Sequence, residues 1–154
     1  MPTLPEIVLP PPLARSYWVL AGRFLAGAYA GQPEAQAHQE RLTGLFTAGV
    51  RTIINLMEAE ETNNHGEPFA PYADDFKRIA SATHVEVDLL RFPIVDRSVT
   101  TQERMTDILN AIDCSLAADR PVYVHCFGGI GPVPWYAAGC CDTDTQSKTM
   151  CSTF

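Results

Sequence analysis

One cysteine in this sequence stands where it could act as a nucleophile. Cys126 follows Val122-Tyr123-Val124-His125 and precedes Phe127-Gly128-Gly129-Ile130-Gly131. The β-branched and aromatic run has the composition of a buried strand. The thiol therefore falls at the carboxyl end of a strand, at the mouth of a loop rich in glycine. Glycine accepts φ > 0 and lets successive amide N–H groups converge on one point. Such a nest binds an anion. It also draws the pKa of a thiol at its centre to roughly 3.5–7.5, where the nucleophilic thiolate is present at neutral pH. A lone core cysteine is usually inert, but that reading does not explain why strand, His-Cys and glycine loop arrive together in this order.

His125-Cys126-x-x-Gly129-x-Gly131 resembles the phosphate loop of cysteine-dependent protein tyrosine and dual-specificity phosphatases, of the small bacterial or atypical type. The resemblance implies that Cys126 attacks phosphorus and forms a phosphocysteine. It implies that amides from Phe127, Gly128, Gly129, Ile130 and Gly131 bind the phosphate oxygens, helped by the positive end of a following helix. His125 would hold the loop and thiolate by local hydrogen bonds. A loop aspartate is normally just solvated. Asp96, in Arg91-Phe92-Pro93-Ile94-Val95-Asp96-Arg97, lies between a strand and a capped helix upstream of the thiol, and so resembles the family's general-acid loop. Proton transfer of that kind contributes roughly 10²–10⁴-fold. Asp88 is the fallback acid, better read as a strand-edge residue. No cofactor is implied. His38, His65 and His84 lack partners at ligand spacing, so no metal is expected either. Arg23 and Arg91 could approach a phosphate, although surface solvation is the better reading of each. Glu58 and Glu61 follow a strand and receive no role. The implied partner is a phosphorylated protein or a small phosphate monoester.

The pattern is broken at one position. The family's loop closes on an arginine that would fall at 132, where this sequence has Pro132. Arginine grips two phosphate oxygens as a planar fork. Proline offers no charge, no side-chain donor and no backbone N–H. After Gly131 the chain reads Pro132-Val133-Pro134 and later Asp142-Thr143-Asp144-Thr145-Gln146-Ser147-Lys148-Thr149, where a buried apolar helix is expected. The genetic code offers a reason. Codons for Ile130 through Asp144, read two bases later, permit Arg-Thr-Gly-Thr-Val-Val-Cys-Cys-Trp-Leu-Leu-Arg-His-Gly, which resembles the family's continuation. A frameshift just after Gly131 accounts for the tail. The expected organisation is an extended lead-in over 1–15, a phosphatase-like domain over 16–131 and an aberrant tail over 132–154. The expected function is that of a phosphatase by family, impaired in this chain by Pro132. The alternative is a non-catalytic phosphate-binding pseudophosphatase or interaction module. A sulfur-transfer domain is a weaker reading, because it does not call for the Asp96 loop.

The rest of the chain must position these groups. Its 154 residues suffice for one domain. With 46% hydrophobic and 19% charged residues, the composition is that of a globular protein. The net charge of −7 argues against a nucleic-acid surface. A phosphate site in such a chain must be made locally. No apolar run is long enough to span a membrane. Five cysteines without metal spacing, and no visible signal peptide, point to a reduced cytoplasm.

Ser16–Leu20 and Arg23–Gly27 read as two short strands about a turn at Ala21-Gly22. Gln32-Pro33-Glu34 opens a helix to about Ala48, with Ala37, Leu42, Leu45 and Phe46 inward and Gly49 as its stop. Val50–Leu56 reads as a strand, and strand–helix–strand suggests a parallel crossover. Tyr72–Thr83 is a second helix carrying Tyr72, Phe76 and Ile79. Val85–Leu89 alternates as a half-buried strand, and Leu90–Ser98 loops out. Thr100-Thr101-Gln102-Glu103 is a capping box, followed by Met105, Ile108, Leu109, Ile112 and Leu116 at helical spacing. The expected class is α/β, a central mostly parallel sheet flanked by helices, phosphotyrosine-phosphatase-like, with the C-terminal helices missing.

Overall fold

The computed structural model describes residues 10–13, 15–58, 66–94 and 102–126. Within them the order is β1 (Ser16–Leu20), β2 (Phe24–Gly27), α1 (Ala35–Thr47), β3 (Thr52–Asn55), α2 (Ala73–Ser81), β4 (Asp88–Arg91), α3 (Gln102–Ala117) and β5 (Val122–His125). The five strands form one sheet in the order β1-β2-β5-β3-β4. Only the β1–β2 pair is antiparallel; β2, β5, β3 and β4 run parallel. The crossover read from β2, α1 and β3 exists, but β5 inserts between its two strands. The last strand among the described residues is thus central, fully buried along its length and bonded on both sides.

That position follows from side-chain alternation. Phe24, Ala26, Ile54, Val122 and Val124 point to one face and pack with Ile108, Ala111 and Ile112 of α3. Leu25, Ile53 and Tyr123 point to the other and pack with Leu42 and Leu45 of α1 and Phe76 of α2. Burying both faces of a central strand requires the continuous apolar run that Val122-Tyr123-Val124 supplies.

Several boundaries differ from the sequence reading. β4 begins at Asp88, not Val85, and includes Leu90 and Arg91. The chain before it first closes α2: His84 takes a left-handed φ of 58°, and Val85 N–H donates to the Ala80 carbonyl at 3.0 Å. β4 is a sheet edge, so its burial alternates weakly. Of the inward stripe of α1, Leu42 and Leu45 are buried and Ala37 and Phe46 half-buried, and His38 is buried beside them. The helix stops where expected, with Gly49 at φ 101°. Thr100 and Thr101 of the capping box, and the whole tail from 132, lie outside the described residues. The lead-in does more than lead in. Leu13 is buried in the α1-side core, and Trp18 Nε1 donates to the Pro10 carbonyl at 3.2 Å. No helix among the described residues is long and apolar enough to cross a membrane.

Candidate active site

The four parallel strands end on one rung. Gly27 pairs with His125, His125 with Asn55, and Asn55 with Arg91. Because alternate residues share a face, His125, Asn55 and Arg91 all lie on the α1/α2 side. Cys126, one residue on, belongs to the α3-side cluster. The thiol is 7% exposed, at the carboxyl end of the central strand. Its surroundings reach the edge strand. The Tyr17 hydroxyl is pushed above its ordinary pKa by burial first and by the neighbouring Cys126 second.

His125 has no exposed surface and is held by a chain of hydrogen bonds. Its Nε2 lies 2.6 Å from the Tyr72 hydroxyl, and its Nδ1 lies 3.3 Å from the Cys126 carbonyl oxygen. A carbonyl can only accept, so Nδ1 carries the proton and Nε2 accepts from Tyr72 O–H. Burial holds the Tyr72 hydroxyl well above its usual range, so the phenol keeps that proton. Asn55 bonds the same hydroxyl, while its Oδ1 accepts the Met57 backbone N–H at 2.9 Å. Burial also pushes the His125 pKa down to about 3, so the ring is neutral at physiological pH. Three aromatic rings enclose it: Tyr29 at 5.3 Å edge-on, Tyr72 at 5.4 Å edge-on and Tyr123 at 5.7 Å stacked. The backbone is pinned too, since the His125 carbonyl accepts Leu56 N–H at 3.0 Å. The residue before the thiol is therefore fixed in position, tautomer and charge.

Other residues singled out from sequence separate by strand end. Asp88 opens β4, at the amino edge of the sheet, and pairs with Arg120 at 3.0 Å. It stands at the wrong edge to serve Cys126, which removes the fallback acid. Arg23 is at the amino edge as well, donating to the Leu116 carbonyl at 2.8 Å. Arg91 is at the carboxyl edge, on the His125 rung, and donates to the Met57 carbonyl at 3.1 Å. Glu58 follows on from the β3 end.

Asp96, Glu61, Phe127–Gly131 and Pro132 lie outside the described residues. The segment that leads to Asp96 does run along the carboxyl edge. Phe92 N–H donates to the Asn55 carbonyl at 2.9 Å and Ile94 N–H to the Leu56 carbonyl at 3.0 Å. Among the described residues, no group of three His, Cys, Asp or Glu side chains could hold a metal ion.

Sequence reasoning missed Tyr72, Asn55 and Tyr29. The sequence pattern puts Tyr72 on the helix itself, whereas it is the N-cap residue of α2 and bonds His125. It missed a second histidine as well. His38 Nε2 lies 2.9 Å from Asp75 Oδ2, and its Nδ1 accepts Gln32 N–H at 3.0 Å, tying α1 to α2. Only the pairing of α1 with α2 could have shown that contact.

Residues 27–134 match the family described as "Polymorphic toxin system, DSP-PTPase phosphatase". The chain belongs to this phosphatase family. The match begins at Gly27, the last residue of β2, takes in α1 through β5, Cys126 and the glycine-rich stretch after it, and stops three residues beyond Gly131. No curated protein matches the chain. Among solved structures, kinase associated phosphatase (KAP) with its catalytic-site cysteine replaced by serine aligns at TM-score 0.61 and 18% identity, over 76% of this chain and 63% of that one. Tk-PTP in its active form aligns at TM-score 0.53 and 18% identity, over 75% and 63%. PTPMT1 in complex with PI(5)P aligns at TM-score 0.53 and 22% identity, over 75% and 64%. At these identities the likeness is one of fold: the same mixed sheet flanked by helices. The chain spans a little under two thirds of each of these phosphatases.

Proposed function

We propose that the family chemistry of this chain is hydrolysis of a phosphate monoester through Cys126. The Cys126 thiolate attacks phosphorus, an S–P bond forms, and the P–O bond to the leaving group breaks. Asp96, as its carboxylic acid, protonates the departing oxygen. The resulting carboxylate then takes a proton from water, which attacks phosphorus, breaks the S–P bond and releases inorganic phosphate. The loop amides from Phe127 to Gly131 hold the phosphate oxygens. His125, already fixed as the neutral Nδ1–H tautomer, positions the Cys126 carbonyl and so the first peptide of the loop. The substrate class is a phosphorylated protein or a small phosphate monoester.

The observation that carries this reading is the place of Cys126. It leaves the carboxyl end of the central strand β5, where open α/β sheets bind their ligands, inside the span matched to the phosphatase family.

Pro132 sets the level of activity. Losing one preorganised donor to the reacting group costs roughly 2.7–4 kcal/mol, or 10²–10³ in rate, and a charged fork costs at least as much. The end of the family match at residue 134 supports the frameshift reading of the tail. An aryl phosphate assay should compare this chain with one in which residues 132–145 are replaced by Arg-Thr-Gly-Thr-Val-Val-Cys-Cys-Trp-Leu-Leu-Arg-His-Gly. The replaced form is expected to turn over at least ~10²-fold faster. Equal turnover overturns the account of Pro132. Proline at 132 also favours a second reading, a phosphate-binding module without turnover. Phosphopeptide binding by a chain with no hydrolysis decides for it.

A further inference from the structure

We propose that His38 is a proton-sensitive latch: its neutral ring holds the segment that leaves β2 against α1 and α2, and protonation frees that segment at Gln32 while the ring stays bound to α2.

The latch joins three parts of the fold. His38 lies on α1 and is buried. Its Nδ1 accepts the Gln32 backbone N–H at 3.0 Å, and its Nε2 lies 2.9 Å from Asp75 Oδ2 on α2. A backbone N–H can only donate, so Nδ1 is an acceptor and the proton of the neutral ring sits on Nε2, facing the carboxylate. Each ring nitrogen is thus committed to a different partner.

A second ring proton acts on these two contacts in opposite ways. At Nδ1 it sets one N–H against another, donor to donor, and the bond to Gln32 is lost. At Nε2 it turns the contact with Asp75 into a charge-assisted hydrogen bond, the stronger class. The ring therefore keeps its hold on α2 and the Gln32 backbone gives way. Asp75 is itself paired with Arg78, three residues on along α2. The other charges nearby balance. Glu34 and Arg41 lie one turn to either side on α1, and Arg15 and Glu67 line the cavity that Gly31 and Gln32 also line. Asp75 is the charge in direct contact.

The backbone has no slack to absorb the change. A Cβ at Gly31 would meet the Ala70 carbonyl oxygen at 2.6 Å and His38 Cε1 at 3.3 Å, so the residue before Gln32 packs directly on the ring and on the segment before α2. Upstream the chain is tied independently. Tyr29 O–H donates to the Ala70 carbonyl at 2.6 Å, and Arg41 donates to the Tyr29 and Ala30 carbonyls at 3.0 and 3.3 Å. Release is therefore confined to Gly31 and Gln32, and Tyr29 keeps its place beside His125.

NMR on the full, isotope-labelled chain tests this from about pH 8 to about pH 5, the window in which a histidine changes charge. At the upper end the ring-nitrogen shifts should report the Nε2–H tautomer. As the ring takes up its second proton, the Gln32 amide resonance should move with the same midpoint. Its protection from hydrogen exchange, corrected for the intrinsic rate at each pH, should fall about tenfold, the worth of one hydrogen bond. Asp75→Asn keeps an oxygen facing Nε2 and removes the charge, so it should move the His38 and Gln32 midpoints together. A Gln32 amide that keeps its shift and protection over this range overturns the latch, whether or not the ring titrates. So does an Nδ1–H tautomer at the upper end, or a His38 midpoint that moves in Asp75→Asn without Gln32 following.

Discussion

Removing a single oxygen at Tyr72 should show how tightly the residue before Cys126 is held. In Tyr72→Phe the ring keeps its packing against Tyr29 and His125, each 5.4 Å away. What goes is the hydroxyl that donates to His125 Nε2 at 2.6 Å and is bonded by Asn55. Two polar groups then lose their partner, one on a histidine with no exposed surface. An unsatisfied buried acceptor costs about 1–3 kcal/mol. For a chain of this size that amounts to a fall in Tm of about 3–10 °C. Urea unfolding should move its midpoint without changing its slope. A second readout separates this contact from general loosening. The Tyr72 hydroxyl is the donor that Nε2 accepts, so losing it should shift the balance of the two neutral His125 tautomers away from Nδ1–H. Ring-nitrogen chemical shifts report both tautomer and titration. A variant with an unchanged midpoint and unchanged His125 ring-nitrogen shifts refutes the hydrogen-bond chain described here.

Three further outcomes follow from the same geometry. His125 titrates lower folded (about 3) than unfolded (ordinary value 6.5), so the unfolded chain binds the extra proton between those values. Stability should be full above about pH 6.5 and fall as pH drops toward 3, by several kcal/mol at most; a flat profile over that window, measured by denaturant unfolding, contradicts it. Ser115 Oγ donates to the Arg120 carbonyl at 2.9 Å and accepts from Thr52 Oγ1 at 2.6 Å in a buried pair linking α3 to β3. Ser115→Ala should therefore cost about 1–3 kcal/mol of unfolding free energy, and a neutral variant would show that the pair adds nothing. Asp96→Asn should lower aryl phosphate turnover roughly 10²–10⁴-fold, while Asp88→Asn, at the opposite sheet edge, leaves it unchanged; the reverse pattern would return Asp88 to the role of acid.

The strands were legible because their composition is unambiguous. Val122-Tyr123-Val124 and Thr52-Ile53-Ile54 are short apolar runs that only a doubly covered sheet explains, and α3 announced itself by spacing. The order of the sheet was not legible. Nothing local in β5 says that it inserts between β2 and β3; that follows only when both of its faces find helices. The start of β4 differs because alternation at Val85-Glu86-Val87 mimics a strand, while Val85 bonds back to α2 and the ladder with β3 begins only at Asp88. At the carboxyl edge, the place of His125 and Cys126 could be read because they follow directly on a strand. The Tyr72–His125 contact joins residues 53 positions apart, and the His38–Asp75 contact joins two helices. Neither leaves a trace in local pattern, since a tyrosine or histidine on an apolar face reads as ordinary core.

The central claim is that Cys126 carries the phosphoryl group. Acid-quenched reaction with a phosphate-labelled aryl monoester, followed by peptide mapping, tests it most directly. The expected result is label on the peptide that contains Cys126, at an Asp96→Asn background that slows its release, and no label or turnover in Cys126→Ser. Label on any other side chain, or hydrolysis that survives Cys126→Ser, contradicts it.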